Sequence, residues 1–111
     1  MRPDLEIIQK WIEPKSRVLD LGCGDGALLT LLKKKKRVDS IGLEIDTANI
    51  QHCIQNGVNV IEQDLDKGLS NFETDSFDTV VLTQTLQALS SPDKLIEEML
   101  RIGKRGIVTF P

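Results

Sequence analysis

Tyrosine is absent, tryptophan and histidine occur once each, and aromatic residues make up only 4% of the 111 positions. A surface that reads nucleic acid by stacking bases between basic side chains therefore has little to be built from, and the net charge of −3 argues the same way. Cysteine is equally scarce. Cys23 and Cys53 form neither a metal-ligand spacing nor the framework of a secreted disulfide scaffold, so reduced thiols and no metal are the expectation. No apolar run approaches the roughly 18–20 residues that a membrane span needs. Met1-Arg2-Pro3-Asp4-Leu5 is not a signal peptide, which leaves a cytoplasmic protein with no membrane partner as the reading. Low-complexity segments are also missing, and 40% hydrophobic content suits one domain over residues 1–111.

The most informative stretch is Val18-Leu19-Asp20-Leu21-Gly22-Cys23-Gly24-Asp25-Gly26. Residues that suit a buried strand run into closely spaced glycines, and the apolar run Ala27-Leu28-Leu29-Thr30-Leu31-Leu32 follows at once. That pattern predicts a strand, a tight loop and a helix. Glycines let the backbone take positive φ and let a ligand approach the main chain, while the amides opening a helix point into the same space. A nucleotide-like ligand fits such a place.

Two acids bear on which ligand it is. Gly22-Cys23-Gly24-Asp25-Gly26-Ala27 fits a relaxed dinucleotide fingerprint, and Glu44 falls at the ribose-binding distance, so spacing alone also suits NAD. Asp20, just before the loop, and Asp25, inside it, would however meet a pyrophosphate with carboxylates where it needs bare amides. One such contact costs about 4 kcal/mol at 4 Å with an effective dielectric near 20. S-adenosyl-L-methionine (SAM) has no phosphate, and it carries an ammonium and a sulfonium that carboxylates can pair with. The charges favour SAM.

Taken in order, residues 3–12 read as an amphipathic helix with Leu5, Ile8, Trp11 and Ile12 inward. Strand one is 17–21, and a helix over 27–36 ends in Lys33-Lys34-Lys35-Lys36-Arg37, a solvated run that offsets the helix dipole. Strand two, 40–43, ends in Glu44-Ile45-Asp46. Glu44 is placed to accept from both ribose hydroxyls with Ile45 beside it, while Asp46 is expected to cap the helix 47–56. His52 lies mid-helix, away from the strand ends. Strand three, 58–62, leads to Asp64, placed to accept from an adenine amino group with Leu65 against the ring. A polar connection pinned by Leu69 and Phe72 precedes strand four, 77–82, whose exit Thr83-Gln84-Thr85-Leu86-Gln87 would overhang the transferable methyl. Ser91-Pro92-Asp93 opens a helix with Leu95, Ile96, Met99 and Leu100 inward and Gly103 at its end, and 107–110 is strand five.

Five strands alternating with helices predict a doubly wound, Rossmann-like α/β fold. Right-handed crossovers favour a parallel sheet of order 3-2-1-4-5 with a crevice above strands one and four.

The ordered set of Asp20-Leu21-Gly22-Cys23-Gly24-Asp25-Gly26, then Glu44, then Asp64 resembles the class I SAM-dependent methyltransferases. The wording of Arg17 to Gly26, Gly42 to Asp46, Asn59 to Asp66, Ser76 to Gln87 and Gly106 to Pro111 is closer still to the MetW family of methionine biosynthesis, over the whole chain. The resemblance implies SAM held by Asp20, Gly22, Cys23, Gly24, Gly26, Glu44, Ile45, Asp64, Leu65 and Thr83, and a homoserine O-acyltransferase as partner. It also implies strands beyond strand five that this sequence does not contain, so a truncated fold is expected, with a bare strand-five edge through which two copies could pair. Thr83, Gln84 and Thr85 supply no general base, and no catalytic residue is assigned. Three readings follow: a SAM-binding accessory subunit of the acyltransferase, a working small-molecule methyltransferase, and a nucleotide-binding domain of another class.

Overall fold

The computed structural model describes residues 3–83 and 88–109. Helix α1 (Pro3–Trp11) leads into β1 (Arg17–Leu21), α2 (Ala27–Lys36), β2 (Asp39–Glu44), α3 (Thr47–Gln55), β3 (Val60–Glu62), β4 (Phe77–Thr83), α4 (Pro92–Ile102) and β5 (Gly103–Thr109), with a 3-10 turn at Leu65–Lys67. The strands form one parallel sheet of order β3-β2-β1-β4-β5, as expected. β1 has a neighbour on each side and a helix layer over each face, which is why Val18, Leu19, Leu21 and even Asp20 are buried.

Side-chain alternation divides the core. Val18, Val81 and Ile107 face α1, α2 and α3, where they meet Leu5, Ile8, Ile12, Leu28, Leu29, Leu32 and Cys53. Leu19, Leu21, Leu43, Val80 and Leu82 face α4 and pack with Leu69, Phe77, Leu95, Met99 and Ile102. The polar connection before β4 is pinned as predicted: Leu69 is fully buried, and Phe72 meets Phe77 edge to face at 5.7 Å.

Several expectations need correction. Trp11 is not core but 52% exposed, with Ile7 beside it at 50%. Leu5, Ile8 and Ile12 define the buried stripe, and at about 100° per residue Trp11 lies roughly 90° off its centre. Leu100 is likewise 61% exposed, because α4 turns Leu95, Met99 and Ile102 inward instead. Ser91 begins that helix without a side-chain cap bond; its carbonyl accepts from the Leu95 N–H. β3 starts at Val60 and not at Val58, and β5 starts at Gly103, directly after α4. Lys104 and Arg105 hid that start from a hydrophobic pattern, yet they sit well on a strand that, among the described residues, pairs with β4 alone. Lys104 pairs with Asp78, and Arg105 donates to the carbonyl of Trp11. Among the described residues no helix is long and apolar enough to cross a membrane.

Candidate functional site

The carboxyl ends of β1, β2 and β3 open on one crevice, which the loop from Gly22 to Gly26 borders at Gly22. Gly24 (φ +59°) and Gly26 (φ +86°) hold left-handed backbone that a side chain would strain. At Gly26 a Cβ would also press on Cys53 Sγ and Val58 Cγ2, both at 3.1 Å, so the loop lies close against α3 and the chain leaving it. After Leu21 the loop runs alongside β2, and the Cys23 N–H donates to the Leu43 carbonyl at 2.9 Å.

Glu44 does more than stand at the strand end. Its Oε1 accepts from the Gly24 N–H at 2.8 Å, while Oε2 accepts from the N–H groups of Ile45 and Asp46 at 3.2 and 3.0 Å. The parallel register, which sets Leu21 beside Leu43, brings the loop within reach of this carboxylate. Asp46 caps α3 as expected, accepting from Ala48 and Asn49. Asp25 Oδ1 accepts from the Ala27 N–H at the start of α2, and the Gly26 N–H goes to the Cys23 carbonyl. The amides of Cys23, Gly24, Gly26 and Ala27 are thus all committed, the first two to β2 and the last two within the loop, and those of Gly24 and Ala27 go to carboxylates.

The cavity there has a volume of about 280 Å³ and is lined by residues that include Gly22, Glu44, Ile45, Asp64 and Leu65. Five of the ten expected ligand residues therefore share one cavity. Ile45 is 58% exposed, an apolar side chain held in the open beside a carboxylate. Asp64 Oδ1 accepts from the Asp66 N–H and starts the 3-10 turn, so this carboxylate has a structural duty. Asp20 is 1% exposed at the end of β1 on the α2 side of the sheet. Thr83 ends β4 one step past the Leu21–Leu82 pair, level with Gly22. Gln84 to Gln87, expected over the methyl, lie outside the described residues. His52 is exposed on α3 and is not part of the cavity lining. The basic run that ends α2 reaches the solvent, with Lys33 Nζ on the Gly57 carbonyl.

The pairing of Cys23 and Cys53, whose Sγ atoms lie 3.7 Å apart, was not visible in the sequence. Burial pushes the Cys23 thiol far above its ordinary range, and the nearby Asp20 carboxylate adds to the shift. Burial raises Cys53 as well, opposed by its contact with Cys23.

The family model for methionine biosynthesis protein MetW matches residues 2–111. The chain belongs to the MetW family. Its relatives include the bifunctional methionine biosynthesis protein MetXA/MetW of Rhodopirellula baltica, 39% identical over 97% of this chain and 19% of that protein. A ribosomal protein L11 methyltransferase of Burkholderia lata is 35% identical over 88% of this chain and 33% of its own length. The MetW-family chain thus spans less than half the length of these curated relatives. Among solved structures, a SAM dependent methyltransferase from Archaeoglobus fulgidus superposes with a TM-score of 0.78 over 90% of this chain and 45% of the other, at 24% identity, which establishes a common fold.

Proposed function

We propose that this MetW-family chain binds SAM in the crevice above β1 and β2 and serves as an accessory subunit of a homoserine O-acyltransferase. The observation that carries the ligand reading is the committed loop. A dinucleotide pyrophosphate needs free amides in the glycine loop and at the start of α2, and here the Gly24 N–H is taken by Glu44 and the Ala27 N–H by Asp25, two carboxylates that add negative charge at the same point. A cationic nucleoside has no such need. Glu44 would take the ribose hydroxyls with the lone pairs left over from its backbone bonds, and Asp20 would pair with the ammonium. Gly22, Cys23, Gly24 and Gly26 let the ligand approach the main chain. Ile45 and Leu65 supply apolar surface for the adenine, Asp64 an acceptor for its amino group, and Thr83 one wall near the methyl. When bound, SAM would bring a transferable methyl and a positive charge.

The partner reading is supported by the Rhodopirellula protein, whose name joins MetXA and MetW in one chain. A ligand can shift an equilibrium between free and partner-bound forms only by its difference in affinity for the two, and the coupling is reciprocal. A cytoplasmic setting suits such a role. The second reading, a working methyltransferase, is favoured by the name of the Burkholderia relative. The two separate when SAM is titrated into the protein with and without the acyltransferase while methylated product is assayed. The accessory reading expects the acyltransferase to change SAM affinity roughly 5- to 150-fold. Equal affinities with steady turnover of a methyl acceptor would leave a methyltransferase.

A further inference from the structure

Nothing in the ligand chemistry above uses a thiol, yet the only two cysteines of the chain meet in its interior. Cys23 belongs to the glycine loop, and Cys53, fully buried, to the last turns of α3. Their sulfurs, 3.7 Å apart, both lie within reach of the Gly24 carbonyl, at 3.9 Å from Cys23 and 3.3 Å from Cys53. Two glycines make the room. A Cβ on Gly42 would fall 2.5 Å from Cys23 Sγ, and one on Gly26 would fall 3.1 Å from Cys53 Sγ. A disulfide needs its sulfurs about 2.0 Å apart, so bonding requires them to close by about 1.7 Å, within the scope of small side-chain rotations and a loop shift.

We propose that Cys23 and Cys53 are a redox modification site: hydrogen peroxide converts them to an intrachain disulfide that weakens ligand binding in the adjoining crevice. The bond itself stands on the sulfur geometry, and only its effect on affinity rests on the SAM reading. Cys23, 7% exposed against 0% for Cys53, is the sulfur that oxidant reaches first. Its thiolate attacks one peroxide oxygen and the O–O bond breaks, leaving a sulfenic acid; the released hydroxide takes the thiol proton and departs as water. The Cys53 sulfur then attacks the Cys23 sulfur, the S–O bond breaks, and a second water leaves with the Cys53 proton. Two thiols and one peroxide give one disulfide and two waters, with two electrons passing from sulfur to oxygen.

Burial keeps both groups as thiols while the loop is closed, so reaction follows loop opening, and a ligand that holds the loop protects the pair. Once formed, the bond removes both S–H donors from the Gly24 carbonyl. It also draws Cys23 toward α3, straining the bonds from Cys23 N–H to Leu43 and from Gly24 N–H to Glu44. Losing the equivalent of one such bond corresponds to about tenfold in affinity.

The test treats the full chain with hydrogen peroxide, traps residual thiols with N-ethylmaleimide, maps the peptides by mass spectrometry, and titrates SAM into reduced, oxidised and dithiothreitol-restored samples. The expected result is a Cys23–Cys53 crosslink, a mass lower by two hydrogens, SAM affinity down about tenfold, and recovery on reduction. SAM present during oxidation should slow the crosslink. Cys53→Ser should bind SAM as reduced protein does and, after peroxide, yield no intrachain crosslink and no peptide mass lower by two hydrogens. Oxidation that stops at Cys23 alone, that links separate chains, or that leaves SAM affinity unchanged would overturn the proposal. If reduced protein does not bind SAM, the ligand reading falls, and the mass map still decides whether the bond forms.

Discussion

Replacing Gly42 by alanine tests the packing that sets the loop without touching the ligand. Gly42 pairs with Asp20 on one side and Val60 on the other, in the middle of β2. Its missing side chain leaves the space where Cys23 lies: a Cβ there would meet Cys23 Sγ at 2.5 Å, Cys23 Cβ at 2.8 Å and Leu29 Cδ1 at 3.1 Å. Leu29 is buried at 1% exposure in the core and has little freedom to yield, so Cys23 and the loop backbone must move. Overpacking of this kind costs about 1–3 kcal/mol. In a domain of this size about 1 kcal/mol lowers Tm by roughly 4 °C, so a fall of about 4–12 °C is expected by circular dichroism. SAM affinity should fall along with it, because the displaced loop carries the Gly24 N–H that Glu44 holds. Adding Cys23→Ala should recover part of the stability, since the closest clash is with the sulfur. A Gly42→Ala protein with unchanged Tm and unchanged ligand affinity would refute the claim that Cys23 packing on β2 positions the loop.

Glu44→Ala strips the acceptor from three backbone N–H groups and is expected to lower stability by about 2 kcal/mol in urea denaturation as well as weakening SAM, so that the variant must be shown folded before its affinity is read. Arg101 binds Glu98 and the Leu69 carbonyl, tying α4 to the connection before β4. The hydrogen bond from Arg101 holds the Glu98 carboxyl below its ordinary range, so the pair's stabilisation is present above the ordinary glutamate pKa and is lost as pH falls through the lowered value. Arg101→Ala should therefore destabilise the protein at neutral pH and shrink the difference from wild type in acid; a difference that is constant with pH would contradict this.

The sheet order was legible because each strand, loop and helix signal is local, and right-handed crossovers leave few ways to join them. The crevice was legible for the same reason: Gly22, Glu44, Ile45, Asp64 and Leu65 all stand where a strand ends. What the sequence hid depends on contacts between elements. The phase of α1 is set by which stripe meets the sheet, and counting apolar residues put Trp11 on it when three others had already defined it. The backbone bonds of Glu44 and the meeting of Cys23 with Cys53 follow from the β1–β2 register and from the seat of α3 under the loop. Neither leaves a mark in spacing. The early start of β5 was masked by Lys104 and Arg105, whose charges an edge position tolerates. Pairing of two copies along that edge remains a proposal, to be read from the sedimentation of the protein.

The most direct test of the central claim is isothermal titration of the reduced protein with SAM and, separately, with NAD. Committed loop amides and the acids around them predict saturable binding of one SAM per chain and no binding of NAD at the same concentrations. Binding of NAD in preference to SAM, or no heat from SAM with folded protein, would contradict it.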